Sequence, residues 1–380
     1  MDVVWLAEIK WDYLRTRKQQ LIRRRPEDVH VLFLEPYARG MPNRFSFYED
    51  DGVLVATVPF VKVIPSGPVR RLVDLSVVRR MIDANAARHV RRHMRGAGMS
   101  PRPTVVISNP FAIAIARNLV RSTLVYDCND AHGAFPGVPA WLPALFEDTC
   151  RTSDAVVVSS SVLRETVAGI RGGDEGVYEV GNGVEFELFD ALRRQNRIQN
   201  RDRVTVGYLG AVAPWYDFDA LEHVARSRPQ WRVLVVGPVL QGVGDRLARI
   251  ASLPNVEVRG RVAHDEVPRV LSEFTVGVIP FLKTELTRGV NPNKMYEYLA
   301  MGIPVATTPF SPEVGKFPQY VSSGDGCEGF LGACDDAVSR ALSDGAEAFS
   351  EGAVRLAGEH DWAIMADRFW STIRSLGGGM

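Results

Sequence analysis

The sequence predicts an α/β protein made of two Rossmann-like β/α/β domains facing each other across a cleft. Three observations predict it. Short apolar runs alternate with longer amphipathic stretches along most of the chain. The apolar runs are continuous rather than alternating, as in parallel strands covered on both faces. A polar stretch, Arg193 to Arg203 (RRQNRIQNRDR), has Ile198 as its only apolar residue, and the alternation starts afresh after it. The length of 380 residues is also too great for one ordinary domain.

In the first half, Val3 to Leu6, His30 to Leu34, Val53 to Val58, Thr104 to Ile107, Leu124 to Asp127 and Ala155 to Val158 read as strands. Helical spacing marks Trp11 to Arg25, Leu75 to Arg95, Phe111 to Leu119 and Trp141 to Arg151. Val177 to Gly183 reads as the last strand of this half. The second alternation opens with VTVGYLG at Val204 and continues with Trp231 to Val236, Val256 to Val258, Thr275 to Pro280 and Ile303 to Thr307. A last helical pattern covers Trp362 to Ser375. The expected division is therefore residues 1–190, a linker at 191–203, residues 204–361 and a helical segment at 362–380. Open sheets of this kind bind ligands at the carboxyl ends of their strands.

Hydrophobic residues make up 46% and charged residues 24%, the composition of a globular protein rather than a disordered one. No apolar run reaches the roughly 18 residues needed to cross a bilayer. The start, MDVVWLAEIKWDYL, lacks the basic flank and apolar core of a signal peptide, so the cytoplasm is the expected location. Cys128, Cys150, Cys327 and Cys334 show no C-x-x-C spacing and read as reduced thiols. The seven histidines are scattered, so no metal site is expected. No nucleic-acid partner is expected either. The net charge is zero, but residues 1–100 hold 18 Lys/Arg against 11 Asp/Glu, leaving 27 against 34 for the remainder. Arg70, Arg71, Arg79, Arg80, Arg88, Arg91, Arg92 and Arg95 supply much of that excess. Such a face suits an anionic membrane surface or a phosphorylated acceptor, and equally a set of solvated helix faces.

The most informative segment is Asn291 to Thr308, NPNKMYEYLAMGIPVATT. Asn291 is a good N-cap and Pro292 suits the first helical position. The helix is expected to reach Met301 and to end at Gly302, with Ile303 to Ala306 as a buried strand. A helix N-terminus offers free backbone N–H groups to a phosphate. Lys294 adds a full charge in the first turn, and Glu297, one turn on, can accept hydrogen bonds from two ribose hydroxyls. A capped helix with an ordinary surface Lys-Glu pair is the plainer alternative.

The pattern P-x-K-x-x-E-Y-L-A-x-G-x-P-V resembles the donor-binding helix of glycosyltransferases with two facing Rossmann-like domains, the GT-B fold. The likeness is to the large retaining family that makes cell-surface polysaccharides, and within it to the teichuronic-acid-biosynthesis type. Further blocks in family order support it: WDYLRTRKQQL (Trp11 to Leu21), VYDCND (Val125 to Asp130) with AFPG (Ala134 to Gly137), SDAVVVSSSVL (Ser153 to Leu163), GNGVE (Gly181 to Glu185), VGYLGAVAPWYD (Val206 to Asp217), and Ile279 to Val305. The resemblance implies transfer of a sugar from a nucleotide diphosphate donor to an acceptor hydroxyl, with retention at the anomeric carbon. The product would be a cell-surface polysaccharide, a glycolipid or another glycoconjugate. No cofactor is expected beyond the nucleotide sugar, which is a substrate. It also implies that the terminal helix crosses back to the first domain.

Position by position, the resemblance assigns Glu297 to the donor ribose and Gly210 to close passage of the chain by the donor phosphates. Lys294, with Asn291 and Asn293 in the helix-capping run, is the diphosphate candidate, and Lys283 and Arg288 are charged neighbours that could share the task. Two positions depart from the family. Gly289 stands where many members carry a glutamate that binds the transferred sugar, and Ala211 follows the loop glycine where many carry Arg. On the first domain, Asp127, Asp130 and His132 follow a strand and could supply a base or orient the acceptor. Trp11, Arg15 and Arg17 follow the first strand and are acceptor-side candidates. The rival readings are a nucleotide-sugar epimerase of the same architecture and a non-catalytic carbohydrate-binding or scaffold protein. A nicotinamide-dependent dehydrogenase would need G-x-G-x-x-G where this chain reads AEIKWD. The inner face of the membrane is the expected docking surface, if any.

Overall fold

A computed structural model describes residues 1–13, 15–60, 75–135, 137–195 and 203–377. The chain forms two compact units, Met1–Val180 with Met365–Met380, and Gly181–Ile364. Each is a mixed α/β unit of the Rossmann-like kind.

In unit 1 the strands are β1 (Asp2–Leu6), β2 (His30–Pro36), β3 (Tyr48–Asp50), β4 (Val53–Val58), β5 (Thr104–Ile107), β6 (Thr123–Cys128), β7 (Ala155–Val158) and β8 (Val177–Glu179). Among the described residues they form one sheet in the order β3-β4-β2-β1-β5-β6-β7-β8. All neighbours are parallel except the β3–β4 edge pair. Side chains alternate between faces. Val4 and Leu6 join a core with Leu32, Leu34, Val105, Ile107 and Ala86. Trp5 takes the opposite face and meets Phe369 and Trp370, with ring centroids 5.5 and 6.3 Å away. These two residues belong to the helix Trp362–Gly377, whose part from Met365 onward lies in unit 1. The Trp370 indole N–H donates to the Leu21 carbonyl at 2.8 Å.

In unit 2, β9 (Thr205–Leu209), β10 (Arg232–Val236), β11 (Val256–Arg259), β12 (Val276–Ile279), β13 (Val305–Thr307) and β14 (Val321–Ser323) form a parallel sheet in the order β11-β10-β9-β12-β13-β14. Both sheets place their first strand centrally and reverse direction beside it, between β1 and β5 and between β9 and β12. A doubly wound sheet opens a crevice at that reversal, outside the carboxyl ends of the strands.

Several elements differ from the sequence expectation. The division falls between Val180 and Gly181, ahead of the expected boundary, because the helix Phe186–Gln195 packs into the second core through Phe189. Most of the expected linker, residues 196–202, lies outside the described residues, as do Arg70 and Arg71. The expected helix from Trp11 forms only over Arg17–Arg23. Glu35 captures the segment before it, accepting from Lys10 Nζ at 2.8 Å and from Trp11 N at 2.9 Å. The helix then starts where Gln19 Oε1 accepts from Thr16 N and Oγ1. Strands β3 and β14 have three residues each, too few to show a period.

Candidate functional site

The helix Asn293–Ala300 packs on the sheet of unit 2 because β12 carries Gly277 beneath it. A Cβ there would lie 2.3 Å from the Tyr298 ring. Tyr298 thereby reaches the centre of the sheet, where its hydroxyl accepts from Leu209 N at 3.0 Å. The helix ends as a Schellman turn: Gly302 has φ +69°, Ile303 N donates to Tyr298 O, and Gly302 N donates to Leu299 O.

The start lies one residue later than the sequence suggests. Pro292 is the extended cap, and Asn293 is the first helical residue. Asn291 is not the N-cap. It is buried ahead of the helix, with its carbonyl accepting from Asn182 Nδ2 at 2.7 Å and its Nδ2 3.4 Å from Glu313 Oε2. Asn293 Oδ1 is buried with no hydrogen-bond partner among the described residues. A buried unpaired oxygen in the first turn of a helix is a place where a ligand hydroxyl gains a partner.

Lys294 lies along the loop after β9. Gly210 has φ +144°, and a Cβ on it would sit 2.1 Å from Lys294 Cε and 2.6 Å from Nζ. Only glycine lets the ammonium pass there. Gly237, after β10, also has φ +144° and comes against the Gly210 carbonyl in the same way. The Lys294 ammonium lies 5.5 Å from the Tyr208 ring centroid and 5.6 Å from that of Phe281. Burial lowers the Lys294 pKa, and Glu297 opposes that shift. Glu297 is pushed up by burial, with Lys294 and His264 pulling it down and Glu185 adding to the rise. Glu185 is hydrogen-bonded to His264 Nε2. Sequence reasoning named neither residue as part of the site. Glu185 was visible only as the end of GNGVE, and His264 opens a short turn, His264–Glu266, in the loop after β11.

Lys283 and Arg288 belong to a lining that does not include Lys294. They are exposed and line a pocket of about 600 Å³ with Thr284, Phe310, Ser311 and Val314. Gly289 follows Arg288 as the cap of the short helix Glu285–Arg288.

The acceptor-side candidates of unit 1 are held in a different way. Asp127, on β6, is fully buried, and its Oδ1 accepts from Arg17 Nε at 2.9 Å. Trp11 is 3% exposed; its indole N–H donates to Asp50 Oδ2 at 2.6 Å, and its ring packs edge-on against Phe33 at 4.9 Å. Trp11, Arg17 and Asp127 are therefore parts of the core and its polar ties. Arg15 is exposed. Asp130 is partly buried and accepts from Asn129 Nδ2 at 2.7 Å. Burial raises its pKa to about 7; Lys18 opposes the rise, and Glu8 and Asp127 add to it. Lys18 is itself ion-paired with Glu8. His132 Nδ1 lies 2.9 Å from the Tyr126 hydroxyl. Burial raises the Tyr126 pKa, so the phenol keeps its proton.

Residues 203–351 match the family model described as "Glycosyl transferases group 1". Unit 2 carries a glycosyl transferases group 1 domain. The domain's matched stretch includes Gly210, Lys283, Arg288, Asn291, Asn293, Lys294 and Glu297. Over 257 residues the chain is 28% identical to TuaH of Bacillus subtilis (strain 168), named as an inferred teichuronic acid biosynthesis glycosyltransferase. That alignment covers 63% of this chain and 64% of the relative, just under two thirds of its length. The whole fold is similar to sucrose-phosphate synthase from Thermosynechococcus elongatus, with a TM-score of 0.76 at 12% identity over all of both chains. It is also similar to Anabaena HepE in complex with UDP, with a TM-score of 0.65 at 15% identity over 99% of this chain and 100% of that one. An E. coli trehalose-6-phosphate protein bound with UDP-2-fluoro glucose gives 0.72 at 10% identity over 100% of both. The fold is that of these GT-B structures.

Proposed function

We propose that the protein is a glycosyltransferase that moves a sugar from a nucleoside diphosphate donor to an acceptor hydroxyl in the synthesis of a cell-surface glycan. The observation that carries this reading is Lys294 lying against Gly210, with Glu297 one helical turn on. Lys294 and the backbone N–H groups of the helix start supply positive charge to a diphosphate. Glu297 accepts from the ribose hydroxyls, and Asn293 Oδ1 is a second acceptor beside it. As the acceptor oxygen bonds to the anomeric carbon, the bond to the diphosphate oxygen breaks, its electron pair stays on the leaving group, and the acceptor hydroxyl gives up its proton to a base. Fixed cations aimed at that growing charge lower the barrier. The family resemblance favours retention at the anomeric carbon, and Lys294 with the helix start supplies the countercharge without a bound metal. In unit 1, Asp130 has a proton affinity suited to a base near neutral pH.

Calorimetric titration of wild type, Lys294→Ala and Glu297→Gln with nucleoside, monophosphate and diphosphate tests the site. Lys294→Ala should weaken the diphosphate most and leave the nucleoside unchanged. Glu297→Gln should weaken all three by about 1.5–3 kcal/mol, the worth of a hydrogen bond to a charged group. Unchanged affinities in both variants would make this helix structural and remove the reading.

Attachment to an anionic membrane surface is part of the proposal. No helix among the described residues is long and apolar enough to cross a membrane. The helix Ser76–Gly96 exposes Arg80, Arg88, Arg91, Arg92 and Arg95, and Leu75, Val77 and Met81 are exposed at its start. Binding to anionic vesicles should fall as salt rises, because exposed charges are screened over about 8–10 Å. Equal binding to neutral vesicles would count against it.

A further inference from the structure

The pocket that Lys283 and Arg288 line is separate from the Lys294 cluster and has its own chemistry. We infer that it holds an anionic group, a carboxylate or a phosphate, carried on a saccharide. The inference rests on the donor reading above for its nucleotide arm only.

Size is the first argument. A pocket of about 600 Å³ is within the range of small-molecule sites and holds a monosaccharide with its substituent. Charge is the second. Neither Lys283 nor Arg288 makes an ion pair among the described residues. Other arginines of the unit are commonly paired: Arg228 with Asp335, and Arg232 and Arg259 with Glu257 and Glu273. Glu285 is the one carboxylate among the lining residues, so the wall keeps a net positive charge. Gly289 beside Arg288 has no side chain that could oppose it. Unpaired cations around a concavity concentrate anions there, and the arginine fork matches carboxylate or phosphate oxygens in pairs.

The third argument is the neutral wall. Phe310, Val314, Pro309 and Pro312 give the pocket an apolar side, and Thr284, Ser311 and Ser323 give it hydroxyls. Apolar surface with a few placed polar groups is the composition of a site for a sugar ring. The pocket also lies close to the proposed donor site. Phe281 packs on Phe310 with centroids 5.0 Å apart, and the Lys294 ammonium lies 5.6 Å from the Phe281 ring. One aromatic ring thus separates the pocket wall from the proposed diphosphate cation. An anionic sugar attached to the diphosphate and an anionic acceptor sugar would both place their charge near it.

The test uses the full chain and two matched pairs of probes: UDP-glucose against UDP-glucuronate, and glucose against glucose 6-phosphate. UDP alone is the control. The charged member of at least one pair should bind tenfold or more tightly than the neutral one. In Lys283→Met/Arg288→Met that preference should disappear while UDP affinity stays as in wild type. A preference within the nucleotide pair assigns the charge to the donor sugar. A preference within the free-sugar pair assigns it to the acceptor. If UDP does not bind wild type, the donor reading fails, and the glucose 6-phosphate arm still decides the pocket. No preference in either pair, or a preference that survives the double substitution in a variant melting like wild type, overturns the inference.

Discussion

In unit 2 Lys294 rests beside two aromatic rings and a glycine, with Glu297 beyond ion-pair reach, while in unit 1 Arg17 is neutralised by Asp127 at 2.9 Å. Each cation belongs to a helix of a doubly wound unit, and in the sequence the two look alike. The difference lies in what burial has done with the charge. A buried cation with a buried partner is a tie within the fold. A partly buried cation without one has been desolvated at a cost and remains open to a ligand, the pattern expected where groups are tuned for function.

Asp127→Asn tests the first half of that comparison and should have the largest effect. It leaves Arg17 without its buried countercharge and should cost about 3–5 kcal/mol of stability in urea denaturation. A loss under about 1 kcal/mol would return Asp127 to the set of acceptor-side groups. Lys294→Met tests the second half. Burial lowers the Lys294 pKa, so the unfolded chain holds that proton more firmly than the native one. The charge therefore costs stability at neutral pH, and the cost fades as pH rises toward the ordinary lysine range. The variant should be as stable as wild type or up to about 1 kcal/mol more stable, although it loses diphosphate affinity. A destabilised variant would make Lys294 a structural residue.

Asp130→Asn gives the most pH-dependent effect. The native pKa of about 7 stands above the ordinary value of 3.8, so between these limits the native state keeps a proton that the unfolded chain gives up. That contribution to stability is complete below pH 3.8 and is lost as pH rises through 7. Relative to wild type, the variant should therefore gain stability between pH 5 and pH 8, on the order of 1 kcal/mol after allowing for solvent contact. Melting curves at the two pH values decide it, and an offset that does not change with pH would contradict the assignment.

The sheets were legible in the sequence because buried parallel strands read as continuous apolar runs. Val3 to Leu6 and Val53 to Val58 needed no other signal. The helix Asn293–Ala300 was legible through Lys294, Glu297 and Gly302, although its first residue was misplaced by one. Pro292 fits a cap as well as a first turn, and the choice depends on Asn182 and Glu313, which are remote in sequence. The pairing of Arg17 with Asp127 spans 110 positions and left no local trace. The same holds for His264, which joins Glu185 across 79 positions. Spacing along the chain shows which residues share an element. It does not show which charges have been cancelled by partners from elsewhere.

The two crossings between the units have a consequence for how the protein is made. Val184 N donates to His360 O, Trp362 N donates to Val184 O, and Asp361 accepts from Phe186 N and Ala363 N. The first and last segments of unit 2 are thus fastened to each other, and everything between them is one uninterrupted stretch. Unit 1 is split around it, and Trp5 waits for Phe369 and Trp370 to cover its face of the sheet. On the ribosome the group 1 domain can close on itself as soon as it has emerged, whereas the first 180 residues remain unfinished until all of unit 2 has been synthesised.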